Sequence, residues 1–195
     1  ELLGRFAVQD MAFKVVGVGS VGTRCMVALL TDNQERPLFL QIKEARRSVL
    51  ADYVKSKSRV RHNGQRVVEG QRLMQSASDL FLGWTSGPHG RHFYLRQLRD
   101  MKISAELETF DAETFSAYAR TCGRALARAH AKASGQAALI SGYIGKSDTL
   151  ADALFKYAQA YSDQNEQDFE RFQHACRTGR LLARSEADFA ADHLP

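Results

Sequence analysis

The run Gly17-Val18-Gly19-Ser20-Val21-Gly22, followed by Lys43 inside the apolar segment Leu38-Phe39-Leu40-Gln41-Ile42-Lys43, constrains this chain more than any other feature. A glycine-rich turn has no Cβ atoms in the way, so its backbone N–H groups can come close to phosphate oxygens. A lysine on a neighbouring strand adds a full positive charge to the same oxygens. A charge on an apolar strand also needs a reason to be there. Together they nominate a nucleotide site built from Gly17, Gly19, Ser20, Gly22 and Lys43. The glycine spacing alone would equally suit a plain tight turn, and the lysine is what makes the site worth pursuing.

Two folds can use such a loop. In a dinucleotide-binding unit, a strand at Phe13–Val16 runs into the glycines, a helix opens at Thr23, and an acid about twenty residues on binds the ribose. Glu44 sits at that distance. In a protein-kinase-like N-lobe, the glycines join two antiparallel strands and the lysine lies on the third. The segment Thr23–Leu30 is short and ends in the polar turn Thr31-Asp32-Asn33-Gln34-Glu35-Arg36-Pro37, as a hairpin would. Residues Gln65–Ala77 carry helical spacing with Glu69 beside the apolar face, and strands are expected at Leu80–Trp84 and His92–Leu98 around the turn Ser86–Gly90.

The order favours the second fold. The expectation is α+β: a protein-kinase-like N-lobe with an antiparallel sheet of about five strands and one helix, followed by a helical portion. The division falls at 1–102 and 103–195. A parallel sheet with a helix from Thr23 would instead restore the dinucleotide unit, with Glu44 as ribose ligand. On the kinase-like reading Lys43 pairs with Glu69 and is held toward the phosphates, while Gln97, Leu98 and Arg99 form the hinge that meets the base. Glu44 is the lesser partner for Lys43, because adjacent strand residues point to opposite faces.

The segments Asp10–Arg24, Gly64–Gln75 and Tyr94–Lys102, with Leu126–Ala131 and Gly142–Asp148, resemble the bacterial family catalogued as domain of unknown function 2252. The resemblance covers most of the chain. It implies a kinase-like protein similar to the aminoglycoside and choline phosphotransferases, with rearranged motifs: the catalytic-loop and metal-binding aspartates precede the glycine loop. No Asp-x-His-x-x-Asn or Asp-Phe-Asp stands in these 195 residues. The chain is therefore expected to be the downstream half of an ATP- and Mg²⁺-dependent phosphotransferase, without catalytic or metal-binding residues of its own and inactive by itself. Its partners would be the nucleotide and the missing N-terminal half. A nucleotide-binding or scaffolding module without chemistry is the competing class.

Composition adds limits. With 44% hydrophobic and 25% charged residues the chain can bury a substantial core. Cys25, Cys122 and Cys176 are odd in number and widely spaced, reading as buried thiols of a cytoplasmic protein rather than a disulfide or zinc framework. The longest apolar run, Cys25–Leu30, is far short of the ~20 residues that span a bilayer. The net charge of +5 gathers between Lys43 and Arg72. That stretch has only Tyr53 as an aromatic, so a solvated linker and helix face is expected there rather than a nucleic-acid surface. Lys55–Arg59 is the expected mobile loop.

The C-terminal half reads as helical. Asp111 caps a helix with Phe115, Tyr118, Ala119, Cys122, Leu126 and Ala129 on one face, stopping near Gly135. Ser147 caps another with Leu150, Ala153, Leu154, Tyr157, Ala158 and Tyr161, and Ser162–Glu170 either continues or breaks it before Gly179. Both stripes are expected to be core. His130, in the last turn of the first helix, is assigned a structural role beside the helix dipole rather than that of a base.

Overall fold

The computed structural model describes residues 2–15, 17, 22–54, 60–98 and 104–182. Its strands are β1 (Ala7–Phe13), β2 (Cys25–Thr31), β3 (Pro37–Glu44), β4 (Gly83–Ser86) and β5 (His92–Gln97); its helices are α1 (Asn63–Met74), α2 (Ala112–Ser134), α3 (Ala137–Ile144) and α4 (Thr149–Arg177). The sheet has five strands in the order β1-β2-β3-β5-β4, and every neighbouring pair is antiparallel. The fold is mixed α+β, as the sequence order implies. No helix opens at Thr23: β2 starts at Cys25 and pairs antiparallel with β1. That removes the dinucleotide alternative, which needs a crossover helix and a parallel neighbour.

The β2–β3 hairpin closes where the sequence marks it. Asp32 accepts the backbone N–H groups of Gln34 and Arg36, both at 2.9 Å, and binds the Arg36 guanidinium. One sheet face carries the core of Ala28, Leu30, Leu38 and Leu40, with Ile42, Leu95, Phe6 and Phe81 packed against it. β1 is an exposed edge strand whose register shifts between Val8 and Asp10, a bulge of the kind that discourages further pairing.

α1 packs against β4 and β5. Gly64 is required there, because a Cβ would stand 2.1 Å from the Phe93 carbonyl oxygen. Val68, in the middle of the helix, is fully buried. The last carbonyls of α1 are capped from another element: the Lys132 ammonium on α2 donates to the Arg72 carbonyl at 2.9 Å and to that of Gln75.

The chain divides into two compact units, Glu1–Ala137 and Ala138–Pro195. In the first, α2 starts as expected, with the Asp111 carboxylate accepting Thr114 N–H at 2.7 Å, and ends at Gly135 in the left-handed conformation, φ 64°. In the second, α4 runs unbroken through Ser162–Glu170 and ends at Arg177, with Gly179 just beyond it at φ 70°. Its N-cap is Asp148 rather than Ser147, whose hydroxyl meets that of Thr149 at 3.0 Å.

The helical stripes correct an expectation. Among the described residues of α2, α3 and α4 none is buried, and Phe115, Tyr118, Leu126, Leu150, Leu154, Tyr157 and Tyr161 are all exposed. Cys122 is likewise exposed, while Cys25 is buried as expected. Helical spacing shows that a face wants cover but not that this chain supplies it. Lys55–Arg59 lies outside the described residues.

Candidate functional site

The candidate site starts at the end of the glycine run. Gly22 holds φ 77°, a conformation that only glycine adopts without strain, and Cys25 follows as the first residue of β2. Cys25 stands opposite Lys43 on β3, and Lys43 stands opposite Tyr94 on β5. Cross-strand partners share a face, so Cys25, Lys43 and Tyr94 lie in one row, with Gln41 two residues along. Gln41 is a buried polar side chain whose amide donates to the Cys25 sulfur at 3.6 Å. Burial pushes the Tyr94 phenol above its ordinary pKa, so it stays protonated and can donate.

Glu44, on the opposite face from Lys43, braces the turn. Its side chain is only 7% exposed. Its carboxylate accepts the Arg24 backbone N–H at 3.1 Å and the guanidinium groups of Arg24 at 3.5 Å and Arg46 at 3.3 Å. Arg46 in turn donates to the Gly22 carbonyl, and Arg66 donates to the Arg46 carbonyl at 2.8 Å. Burial would raise the Glu44 pKa, but these donors outweigh it and hold the carboxyl below its ordinary range. Glu44 therefore fixes two arginines beside the turn and is not a ribose ligand.

The expected pair between Lys43 and Glu69 is not formed. Glu69 is exposed on α1, and its carboxylate accepts the Gln65 amide one turn back at 2.6 Å. Lys43 has no ion-pair partner among the described residues. At the end of β5, Gln97 N–H donates to the Asp79 carboxylate at 2.6 Å, and Leu98 N–H donates to the Phe39 carbonyl at 2.8 Å. Both N–H groups are thus engaged inside the protein. Gly17 is described, with open space where a Cβ would project. Gly19, Ser20 and Arg99 lie outside the described residues. His130 is exposed on α2.

Two further features escaped the sequence reading. His62 and His92 stack with ring centroids 3.9 Å apart beneath the start of α1. Their Nδ1 atoms accept the N–H groups of Gln65 at 3.1 Å and Asn63 at 3.0 Å, so two imidazoles cap one helix. The second feature is an open cavity of about 1020 Å³ bounded by α1, the end of β5 and α2, with arginines from all three. Thirty residues separate the histidines, and the cavity needs three distant elements to meet, so no local pattern signals either.

Among the described residues no group of three His, Cys, Asp or Glu side chains could hold a metal ion. None of the described helices is long and apolar enough to cross a membrane. Comparison with protein families gives one match: residues 1–175 fit the family described as an uncharacterized protein conserved in bacteria (DUF2252). The chain belongs to that family. The searches of curated proteins and of solved structures found no match.

Proposed function

We propose that this member of the DUF2252 family binds a nucleoside triphosphate in the manner of a protein-kinase N-lobe, as half of a phosphotransferase site. The observation that carries the reading is topological. The glycine run lies in sequence between antiparallel β1 and β2, Lys43 lies on β3 opposite Cys25 at the start of β2, and a helix follows before β4 and β5. Kinases place their glycine-rich loop and lysine in these positions. The residues present suit phosphate: Lys43 has no carboxylate partner among those described, and Glu44 holds Arg24 and Arg46 beside Gly22. ATP would meet these groups through its phosphates. Its base would have to use groups at the β5 end other than the Gln97 and Leu98 N–H, which are already engaged. Mg²⁺ ligands and the nucleophile-orienting carboxylate would come from the upstream half that the family resemblance implies.

In kinases the lysine–glutamate pair must be in place for activity. On this reading the present arrangement is the inactive one, and α1 must approach β3 before turnover. The test is a thermal-shift titration of the full-length protein with ATP and Mg²⁺, beside a Lys43→Ala variant. A ligand that binds only the folded state adds ~2.7 kcal/mol at a hundred times its dissociation constant. Absence of a shift in the wild type would sink the reading, and an equal shift in both proteins would remove Lys43 from the site.

A second reading, a binding or scaffolding module without chemistry, is favoured by the exposed apolar stripes of α2 and α4, which suit a covering partner. ATP binding at full length without hydrolysis or phosphoryl transfer would support it.

A further inference from the structure

We infer that the open cavity between α1, the end of β5 and α2 is a second anion site, separate from the glycine turn, which takes an organic anion of two or more charges on an apolar frame. Its volume of about 1020 Å³ would hold a molecule of metabolite size. Three elements each send one arginine into its lining: Arg66 from α1, Arg96 from β5 and Arg128 from α2. No carboxylate among the described residues forms an ion pair with any of them. Asp79 is the one acid among the described lining residues, and it is already engaged: Oδ1 accepts Phe81 N–H at 2.8 Å and Oδ2 accepts Gln97 N–H at 2.6 Å. Its oxygens are held by backbone donors, while none of the three guanidinium groups has a carboxylate partner among the described residues.

Arg66 adds an independent sign. Its Nη2 donates to the Arg46 carbonyl, but its Nε is buried without a partner among the described residues. A buried N–H left unmatched is costly, and native proteins rarely leave one so. Part of the remaining wall is apolar, with Met74 of α1 facing the same space as Leu126 of α2, beside the polar Gln71, Gln75, Ser76 and Gln97. A bare inorganic anion would satisfy the arginines and leave that wall wet. A frame carrying a phosphate or carboxylates answers both. Lys43 is not in the lining, so this site does not depend on the nucleotide reading.

The test uses 1-naphthyl phosphate as probe against the whole chain, followed by calorimetric titration at low salt, with 1-naphthol and inorganic phosphate as comparison ligands. The phosphate ester should bind more tightly than either comparison ligand and weaken as salt is added. Arg96→Gln and Arg128→Gln should each weaken it by about tenfold, the usual scale for losing one charge-assisted hydrogen bond. Leu126→Glu, at an exposed position that folding tolerates, should weaken it at least as much. Lys43→Ala should bind as the wild type does. The inference is overturned if the wild type does not bind the ester, if 1-naphthol binds equally well, or if all three cavity variants bind normally. Loss of binding in Lys43→Ala would place the probe at the glycine turn and overturn it too.

Discussion

The stacked histidines make α1 sensitive to acid. His62 Nδ1 and His92 Nδ1 each accept a backbone N–H, so both rings must be neutral with the proton on Nε2. That places the His62 Nε2–H toward the Ser86 hydroxyl, 3.2 Å away. A proton added to His62 Nδ1 would face the Gln65 N–H head-on, with the His92 ring stacked 3.9 Å away. Burial, followed by the neighbouring His92, depresses the His62 pKa below its ordinary value. The unfolded chain therefore takes up the proton first. The stability that the neutral ring contributes is fully present above the unfolded pKa of ~6.5 and is lost as pH falls below it.

The magnitude follows from the His62 cap. Losing one helix cap costs about 1 kcal/mol. In a chain of this size that is a fall in Tm of roughly 2–4 °C. The assay is helical circular dichroism melting at pH 7.5 and 5.5, for wild type and a His62→Asn/His92→Asn double variant. Asparagine presents an uncharged acceptor near the Nδ1 position and cannot titrate in this range. His89, His130, His174 and His193 are common to both proteins, so the difference between them isolates the stacked pair. The wild type should lose the stated Tm on acidification and the double variant should not. Equal acid sensitivity in the two proteins would refute the reasoning.

Other substitutions test the packing of the same helix. Gly64→Ala should push α1 off the Phe93 carbonyl and cost about 3 kcal/mol or more, read by urea denaturation, since overpacking against backbone cannot relax through a side-chain rotation. Lys132→Met keeps the stem of the side chain but removes the donors to the α1 carbonyls; a loss of about 1 kcal/mol is expected, with earlier amide exchange in the last turn of α1. Glu44→Gln should leave Arg24 and Arg46 without their carboxylate and cost about 1–3 kcal/mol by denaturation, with chemical-shift changes centred on Gly22.

Much of the fold was legible because local chemistry decided it. The polar turn after β2 contains its own ligand in Asp32, Asp111 caps α2 directly, and Gly135 and Gly179 end helices in a conformation other residues avoid. The alternation in β3 placed Lys43 and Glu44 on opposite faces, as observed through their different neighbours. What failed was set by long-range packing. Periodicity found the stripes on α2 and α4 but could not say whether they would be covered. The expected Lys43–Glu69 pair rests on element order and on the need of a strand lysine for a counter-ion, and neither fixes how far a helix stands from a strand or how it is turned about its axis.

Three anchors set that placement, and all come from outside the helix. The histidine pair holds its first turn, the Phe93 carbonyl limits its approach at Gly64, and Lys132 holds its last carbonyls. Glu69 lies between them and is kept at the surface, bonded to Gln65. Bringing Glu69 to Lys43 would require α1 to turn or slide, and a rigid helix cannot do so while both ends are tied. The nucleotide reading is thereby coupled to the histidine stack. If ATP draws Glu69 toward Lys43, the caps at Asn63 and Gln65 must loosen, and the released His62 ring regains its ordinary affinity for protons. Nucleotide binding near pH 6 would then be accompanied by proton uptake, measurable as a dependence of the apparent binding enthalpy on the ionisation enthalpy of the buffer. The double asparagine variant should lose that dependence while still binding nucleotide. Binding without proton uptake in the wild type would mean that α1 stays where its anchors hold it, with Lys43 acting on phosphate alone.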